Sequence, residues 1–135
     1  MNNMSNVSKG RKVENLAAKF LLSHNYQVHQ TIRSKFHNND VFGCFDIVAT
    51  NGYELRFIQV ESNQFRSSKS REIDTINLPV CGGNDCRIRL RKELWVYKKS
   101  KRTPSHKFMI YFNDVGWWYH ARSINFKIID DKVME

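Results

Sequence analysis

The dipeptide Asn51-Gly52 separates two stretches with strand character, and it constrains the fold more than any other feature of the chain. Residues 44–50 before it are apolar apart from Asp46 and a terminal threonine, and residues 54–61 after it supply a returning strand. Asn-Gly is typical of two-residue hairpin turns, because both residues readily adopt positive φ. The sequence therefore predicts a β-hairpin.

The elements around this hairpin follow an α/β pattern. Residues 7–24 are predicted to form a helix, because apolar residues recur there at steps of three and four. Residues 26–33 alternate between apolar and polar side chains, which indicates a half-buried strand. A second helix is predicted over residues 67–76, before Pro79. Further strands are expected at residues 94–97, 108–112 and 117–120.

The length of 135 residues fits one domain, with a central mixed sheet flanked by helices and frayed ends at 1–6 and 130–135. The 22 Lys and Arg residues outnumber 13 Asp and Glu, so the formal charge is +9. Such an excess attracts polyanions, with nucleic acid as the first partner to consider. No apolar run is long enough to span a bilayer and the first ten residues lack a signal-peptide pattern, so a cytoplasmic protein is expected.

The three cysteines are Cys44, Cys81 and Cys86, an odd number that cannot be fully paired within the chain. Reduced thiols are the simpler interpretation for a chain of this size without secretion. The Cys81 to Cys86 segment has two readings, a glycine-rich turn or half of a zinc site. A structural zinc site needs two more ligands with their own spacing, which favours the turn.

Three oxygen-bearing side chains fall on the predicted hairpin. Gln59 and Glu61 occupy alternate strand positions and share one face, and Asp46 interrupts the apolar partner strand. Such ligands suit Mg²⁺, with Mn²⁺ as a substitute. Glu14, at the edge of the apolar stripe of the first helix, is a candidate fourth member. Taken singly, each acidic residue is more often simply solvated, and only the combination favours a site.

The order of these residues resembles the motif of the PD-(D/E)XK nuclease superfamily. The segments that carry the resemblance are Glu14, then Phe45-Asp46-Ile47-Val48, then Phe57-Ile58-Gln59-Val60-Glu61-Ser62-Asn63. Within residues 9–75, which it covers, the chain is most similar to archaeal and phage Holliday junction resolvases. The resemblance implies a restriction-endonuclease-like fold and a homodimeric, metal-dependent endonuclease that hydrolyses phosphodiester bonds in branched or duplex DNA.

The resemblance also implies a role for each position. Asp46 matches the metal-binding aspartate, Gln59 the second acidic or amide position, and Glu14 the helix glutamate. Glu61 stands where the family usually has a lysine that positions the attacking water. Two readings stay open: Asp46, Gln59 and Glu61 share the metal, as glutamate does in some restriction enzymes of the superfamily, or the chain is a weakened nuclease that only binds DNA.

Basic residues adjoin this motif in sequence and are predicted to contact phosphates. These residues are Lys9, Arg11, Lys12, Arg33, Lys35, Arg66, Lys69 and Arg71. A solvated face is the competing interpretation for each group. Trp117 and Trp118 cannot both face inward on one strand, which favours an exposed partner surface and a homodimer. Exposed aromatics would also suit a domain that binds single-stranded RNA, a third possibility.

Overall fold

The computed structural model describes residues 6–32, 39–78, 89–99, 105–114 and 117–135, with side chains from Gly10 onward. Two helices and seven strands occur in these ranges. They are α1 (Asn6–Ser23), β1 (Gln27–Gln30), β2 (Ile47–Thr50), β3 (Glu54–Ser62), α2 (Ser67–Asp74), β4 (Arg89–Lys99), β5 (His106–Asp114), β6 (Trp117–Ile129) and β7 (Lys132–Met134). Neither helix in the described ranges is long and apolar enough to cross a membrane.

The chain folds as an α/β protein around one mixed sheet, in which the strands follow each other in chain order. Every neighbouring pair is antiparallel except β3 and β4, which run parallel with Glu61 opposite Val96. A parallel pair needs a crossover connection rather than a tight turn. The chain between β3 and β4 contains α2 and provides that connection, so the end of β3 leads directly into the second helix.

Two apolar clusters form the core. Ile58 and Trp95 belong to the cluster that includes Val13, Phe20 and other buried residues of α1. Their sequence neighbours Phe57 and Leu94 belong to the second cluster, together with Ile73 of α2. Because successive strand residues point to opposite faces, the two clusters lie on opposite sides of the sheet. Each helix therefore packs on its own face.

The structure confirms the first helix and the hairpin, but the predicted two-residue turn is wrong. Thr50 pairs with Leu55, and Asn51 has no positive φ; its Oδ1 instead accepts hydrogen bonds from the backbone N–H groups of Tyr53 and Glu54 in a longer loop. Predicted helix 7–24 corresponds to α1, and Ile47 pairs with Ile58 across the hairpin that includes Gly52, whose φ is 94°. The strand predicted from residue 44 begins three residues later. Phe42 and Gly43 have positive φ, and the bridge between Val41 and Phe45 closes a tight turn before β2.

The expectation of a frayed tail at 130–135 is wrong for the described structure. Asp130 and Asp131 both adopt positive φ and form a turn, after which β7 pairs with the end of β6. Val133 packs against the cluster under α1, so tertiary contact orders this segment. The last three predicted strands are also longer than expected, because each continues along its neighbour beyond the apolar run.

Cys44 is a buried free thiol, in agreement with the expected reduced state. Burial raises the pKa of this thiol, so it is less reactive than an exposed cysteine at neutral pH. Cys81 and Cys86, and with them the choice between zinc and a glycine-rich turn, lie outside the described residues.

Candidate metal and nucleic-acid site at the end of β3

Two hydrogen bonds hold Asp46 beside β3, one accepted by its side chain and one donated by its backbone N–H. Its side chain is completely buried, and its Oδ2 accepts a hydrogen bond of 2.9 Å from the backbone N–H of Val60. Its own backbone N–H donates to the carbonyl oxygen of Ile58, also at 2.9 Å. Since Val60 lies between Gln59 and Glu61, these bonds bring the Asp46 carboxylate next to the two other residues of the motif.

Gln59 is buried, with 4% of its surface exposed, and only half of its amide group is hydrogen bonded. Its Nε2 donates to Glu61 Oε1 at 3.0 Å, which fixes the orientation of the amide. Its Oε1 is buried and has no hydrogen-bond partner among the described residues. A buried acceptor without a donor costs about 1 to 3 kcal/mol, so this oxygen marks a place where a bound group is stabilising.

Glu61 accepts hydrogen bonds on both carboxylate oxygens. Besides the bond from Gln59, its Oε2 accepts bonds from Arg66 Nε at 3.0 Å and Nη2 at 2.7 Å. The sequence interpretation treated Arg66 only as a phosphate contact and missed this pair. The positive φ of Asn63, 76°, belongs to the turn that brings the arginine back toward the strand. The predicted role of Glu61 as a metal ligand stays a prediction.

Glu14 lies on α1, and the helix buries it almost completely. Arg11, one turn earlier, has its Nη1 at 3.9 Å from Glu14 Oε2 and donates to the carbonyl oxygen of Thr31 at 2.8 Å. The sequence placed Glu14 at the edge of the apolar stripe, from where it could point along the sheet that the helix covers. Its neighbours Gly10 and Val13 line the same cleft as Gln59, so α1 contributes one wall of the site.

An open cleft of about 730 Å³ is lined by Gln59 and Glu61, whereas Asp46 and Glu14 are not among its lining residues. Residues from α1, from the end of β3 and from the start of α2 line it together. They include Gly10, Val13, Asp40, Gln59, Val60, Glu61, Ser62, Asn63, Gln64, Arg66 and Lys69. Cationic and acidic side chains thus share the walls of the cleft.

The predicted phosphate contacts have different positions in the structure. Arg66 and Lys69 line the cleft, whereas Arg71 lines a neighbouring pocket with Phe42 and the end of α2. Arg11 is partly buried against Thr31, and Lys12 is exposed. Arg33, Lys35 and the side chain of Lys9 lie outside the described residues.

Among the residues that the structure describes, no three His, Cys, Asp or Glu side chains are grouped to hold a metal ion. Asp46 and Gln59 nevertheless supply a carboxylate and an amide oxygen beside one strand, and Gln59 Oε1 has no donor there. Mg²⁺ is commonly bound through one or two carboxylates while it keeps several waters. The donor set therefore fits a hydrated Mg²⁺ or Mn²⁺ ion with few protein ligands.

The fold and the site together define an α/β protein with a mixed sheet and a polar cleft at the end of a central strand. No protein-family model matches this chain, and a search of curated proteins gives no match.

Proposed function

We propose that this protein is a metal-dependent DNA endonuclease of the PD-(D/E)XK type, related in activity to the Holliday junction resolvases. The observation that carries the proposal is the buried Gln59 Oε1, which lacks a donor and lies on the same stretch of strand as the Asp46 carboxylate. A buried carboxylate and a buried amide oxygen at the end of β3, beside an open cleft that Gln59 lines, favour a hard cation over a neutral ligand.

Asp46 and Gln59 would hold Mg²⁺, with Mn²⁺ as a substitute. When bound, the ion polarises a phosphodiester oxygen and lowers the pKa of a coordinated water. The protein keeps both ligands in place before substrate arrives. Val60 N–H orients the Asp46 carboxylate, and Glu61 accepts the hydrogen bond that aims Gln59 Oε1 away from itself.

The arrangement of elements supports a restriction-endonuclease-like fold. A central mixed sheet flanked by helices is what the resemblance implies, and here α1 and α2 cover opposite faces of such a sheet. Asp46 directly precedes the second strand, and Gln59 and Glu61 lie on the third, which agrees with the order that the resemblance implies. The order of the motif residues and the arrangement of sheet and helices support the proposed activity together with the site.

Charge and an exposed aromatic residue support DNA and a second copy of the chain as partners. The net charge of +9 favours a polyanion, and Arg66 and Lys69 bring part of it to the cleft. Trp117 is 78% exposed, whereas Trp118 is partly buried and donates to Asp74. A homodimer that covers Trp117 would present two clefts to opposing strands of a branched DNA substrate.

One observation favours a second candidate function, a DNA-binding protein without turnover. Both carboxylate oxygens of Glu61 accept hydrogen bonds, from Gln59 and Arg66. Glu61 stands where the PD-(D/E)XK superfamily usually has a lysine. A glutamate held in this way does not position water as a lysine does. The chain would then keep the basic cleft and bind DNA without cleaving it.

Incubation of the purified protein with four-way junction, duplex and single-stranded DNA separates these functions. We expect cleavage in Mg²⁺ or Mn²⁺ that is lost in EDTA and in Asp46→Ala. Asp114→Ala, which alters an exposed aspartate at the end of β5, is the matched control and should cleave normally. Binding without cleavage of any substrate supports the silent protein, and unchanged cleavage in Asp46→Ala refutes the assigned site.

A further inference from the structure

We propose that Glu61 and Arg66 form a preset phosphate clamp, in which buried Glu61 is a positioning residue and the Arg66 guanidinium binds a nucleic-acid phosphate. The inference rests on the proposed function, because it assumes that nucleic acid enters the cleft. It assigns Glu61 a role in holding substrate through Arg66, which differs from the metal-ligand role that the sequence suggests. Hereafter these two residues are called the clamp.

The hydrogen bonds of the clamp leave one edge of the guanidinium available. Arginine carries five N–H donors in a planar fork. Nε and Nη2 each direct a donor at Glu61 Oε2, at 3.0 and 2.7 Å. The donors on Nη1 and the second donor on Nη2 therefore point away from Glu61. This is the edge that can bind phosphate oxygens in a bidentate manner.

The two members of the clamp differ in exposure. The Glu61 side chain is 7% exposed and is also held by Gln59 Nε2, whereas the Arg66 side chain is 49% exposed and lines the cleft beside Lys69. An ordinary surface ion pair holds two mobile side chains and contributes little. Here one partner is fixed, so the arginine loses less conformational freedom when it binds a phosphate.

The clamp and simple charge attraction predict opposite changes in DNA affinity for the substitution Glu61→Gln. Glu61→Gln removes a negative charge from the cleft, so nonspecific electrostatics predicts tighter binding of DNA. The clamp predicts weaker binding, because Arg66 loses the carboxylate that orients it. The direction of one affinity change therefore separates the two accounts.

The test measures binding of the full-length chain to fluorescent duplex and four-way junction DNA in EDTA, by anisotropy at several salt concentrations. We expect Arg66→Gln to weaken binding by about tenfold and to reduce the salt slope by about 0.9, as expected for one lost phosphate contact. Glu61→Gln should weaken binding by about threefold or more, and the double variant should bind no worse than Arg66→Gln alone. Arg122→Gln, which alters an exposed arginine on β6, is the control with the same charge change.

Arg66→Lys provides a second comparison that keeps the charge and removes the fork. Arg66→Lys should lose most of the affinity that Arg66→Gln loses. If circular dichroism shows that Glu61→Gln does not fold, this comparison decides the question. Three results would each overturn the clamp. The first is tighter or unchanged DNA binding by a folded Glu61→Gln protein, and the second is additive losses of affinity in the double variant. The third is wild-type affinity in Arg66→Lys. Absence of any DNA binding by the wild-type chain would instead remove the proposed function on which the clamp rests.

Discussion

The carboxylate of Asp46 accepts a hydrogen bond from the backbone N–H of Val60, with 2.9 Å between Oδ2 and the nitrogen. This bond satisfies a buried donor on the central strand, and it also sets the position of a proposed metal ligand. The same side chain therefore combines a structural role with its proposed role as a metal ligand, and different substitutions can separate the two.

Asp46→Ala should lower the free energy of unfolding by about 1 to 3 kcal/mol, because the buried Val60 N–H loses its acceptor. Asp46→Asn keeps an acceptor oxygen and should cost less, although both variants should lose metal-dependent cleavage. Urea denaturation measures the stability of each. Asp114→Ala should stay within about 0.5 kcal/mol of wild type, and equal stability of the alanine and asparagine variants at position 46 would argue against the inferred bond.

Arg56 and Glu93 form a buried ion pair between β3 and β4, with Nε–Oε2 at 2.6 Å and Nη2–Oε1 at 2.5 Å. Burial opposes the charge on Arg56, but the hydrogen bonds and charge of Glu93 outweigh it and raise the pKa of the guanidinium. Glu93→Ala should therefore destabilise the protein by about 3 to 5 kcal/mol, because it leaves a buried charge unpaired. Thermal and urea unfolding measure this loss.

The more exposed pair of Arg91 and Glu54, 3.4 Å apart on the same two strands, is the matched control for the buried pair. Glu54→Ala should cost clearly less than Glu93→Ala, because solvent screens the remaining charge. The double replacement Arg56→Met with Glu93→Leu should recover part of the stability, since no unpaired charge remains while the buried Trp95 Nε1–H still lacks its acceptor. A double variant as unstable as Glu93→Ala would count against this explanation.

Lys92 connects β4 to the end of α2. Its Nζ donates to the carbonyl oxygens of Ile73 at 3.0 Å and Ile76 at 2.7 Å, which lie at the end of α2 and just beyond it. Lys92→Met should lower the free energy of unfolding by about 1 to 3 kcal/mol through loss of these charged hydrogen bonds. Lys98→Met, on an exposed position of the same strand, should change it by less than about 0.5 kcal/mol. Equal effects of the two substitutions would contradict a stabilising role for the hydrogen bonds of Lys92.

His106 should make stability depend on pH. Burial, followed by the positive charges of Lys99 and Lys12, lowers the pKa of this histidine below 6.5. The unfolded chain then binds the proton more readily than the folded chain, so the stability is fully present above pH 6.5 and declines as the pH falls through the folded pKa. Urea denaturation at a series of pH values measures the decline.

His106→Gln should flatten this part of the pH profile, because the titrating group is removed. Lys99→Gln removes one of the positive charges that lower the pKa, so the decline should become smaller without disappearing. A pH profile identical in wild type and His106→Gln would assign the dependence to other groups.

The part of the candidate site on the hairpin follows from local sequence. Asn51-Gly52 marks where the chain turns, although the loop is longer than two residues, and the two-residue alternation places Gln59 and Glu61 on one face of the returning strand. The position of Asp46 beside them also follows, because the hairpin brings β2 against β3. The pairing of Glu61 with Arg66 could not be derived in this way, since it depends on how the chain turns at Asn63 before α2.

The sequence by itself determined the first helix, the hairpin and the excess of positive charge, because periodicity, turn chemistry and composition act over a few neighbouring residues or over the whole chain. Only the tertiary structure decided the lengths of the later strands and the order of the tail at β7. It also decided the partners of Arg56, Arg66 and Lys92, because hydrogen bonds of buried charged groups depend on side chains brought together from distant positions by packing.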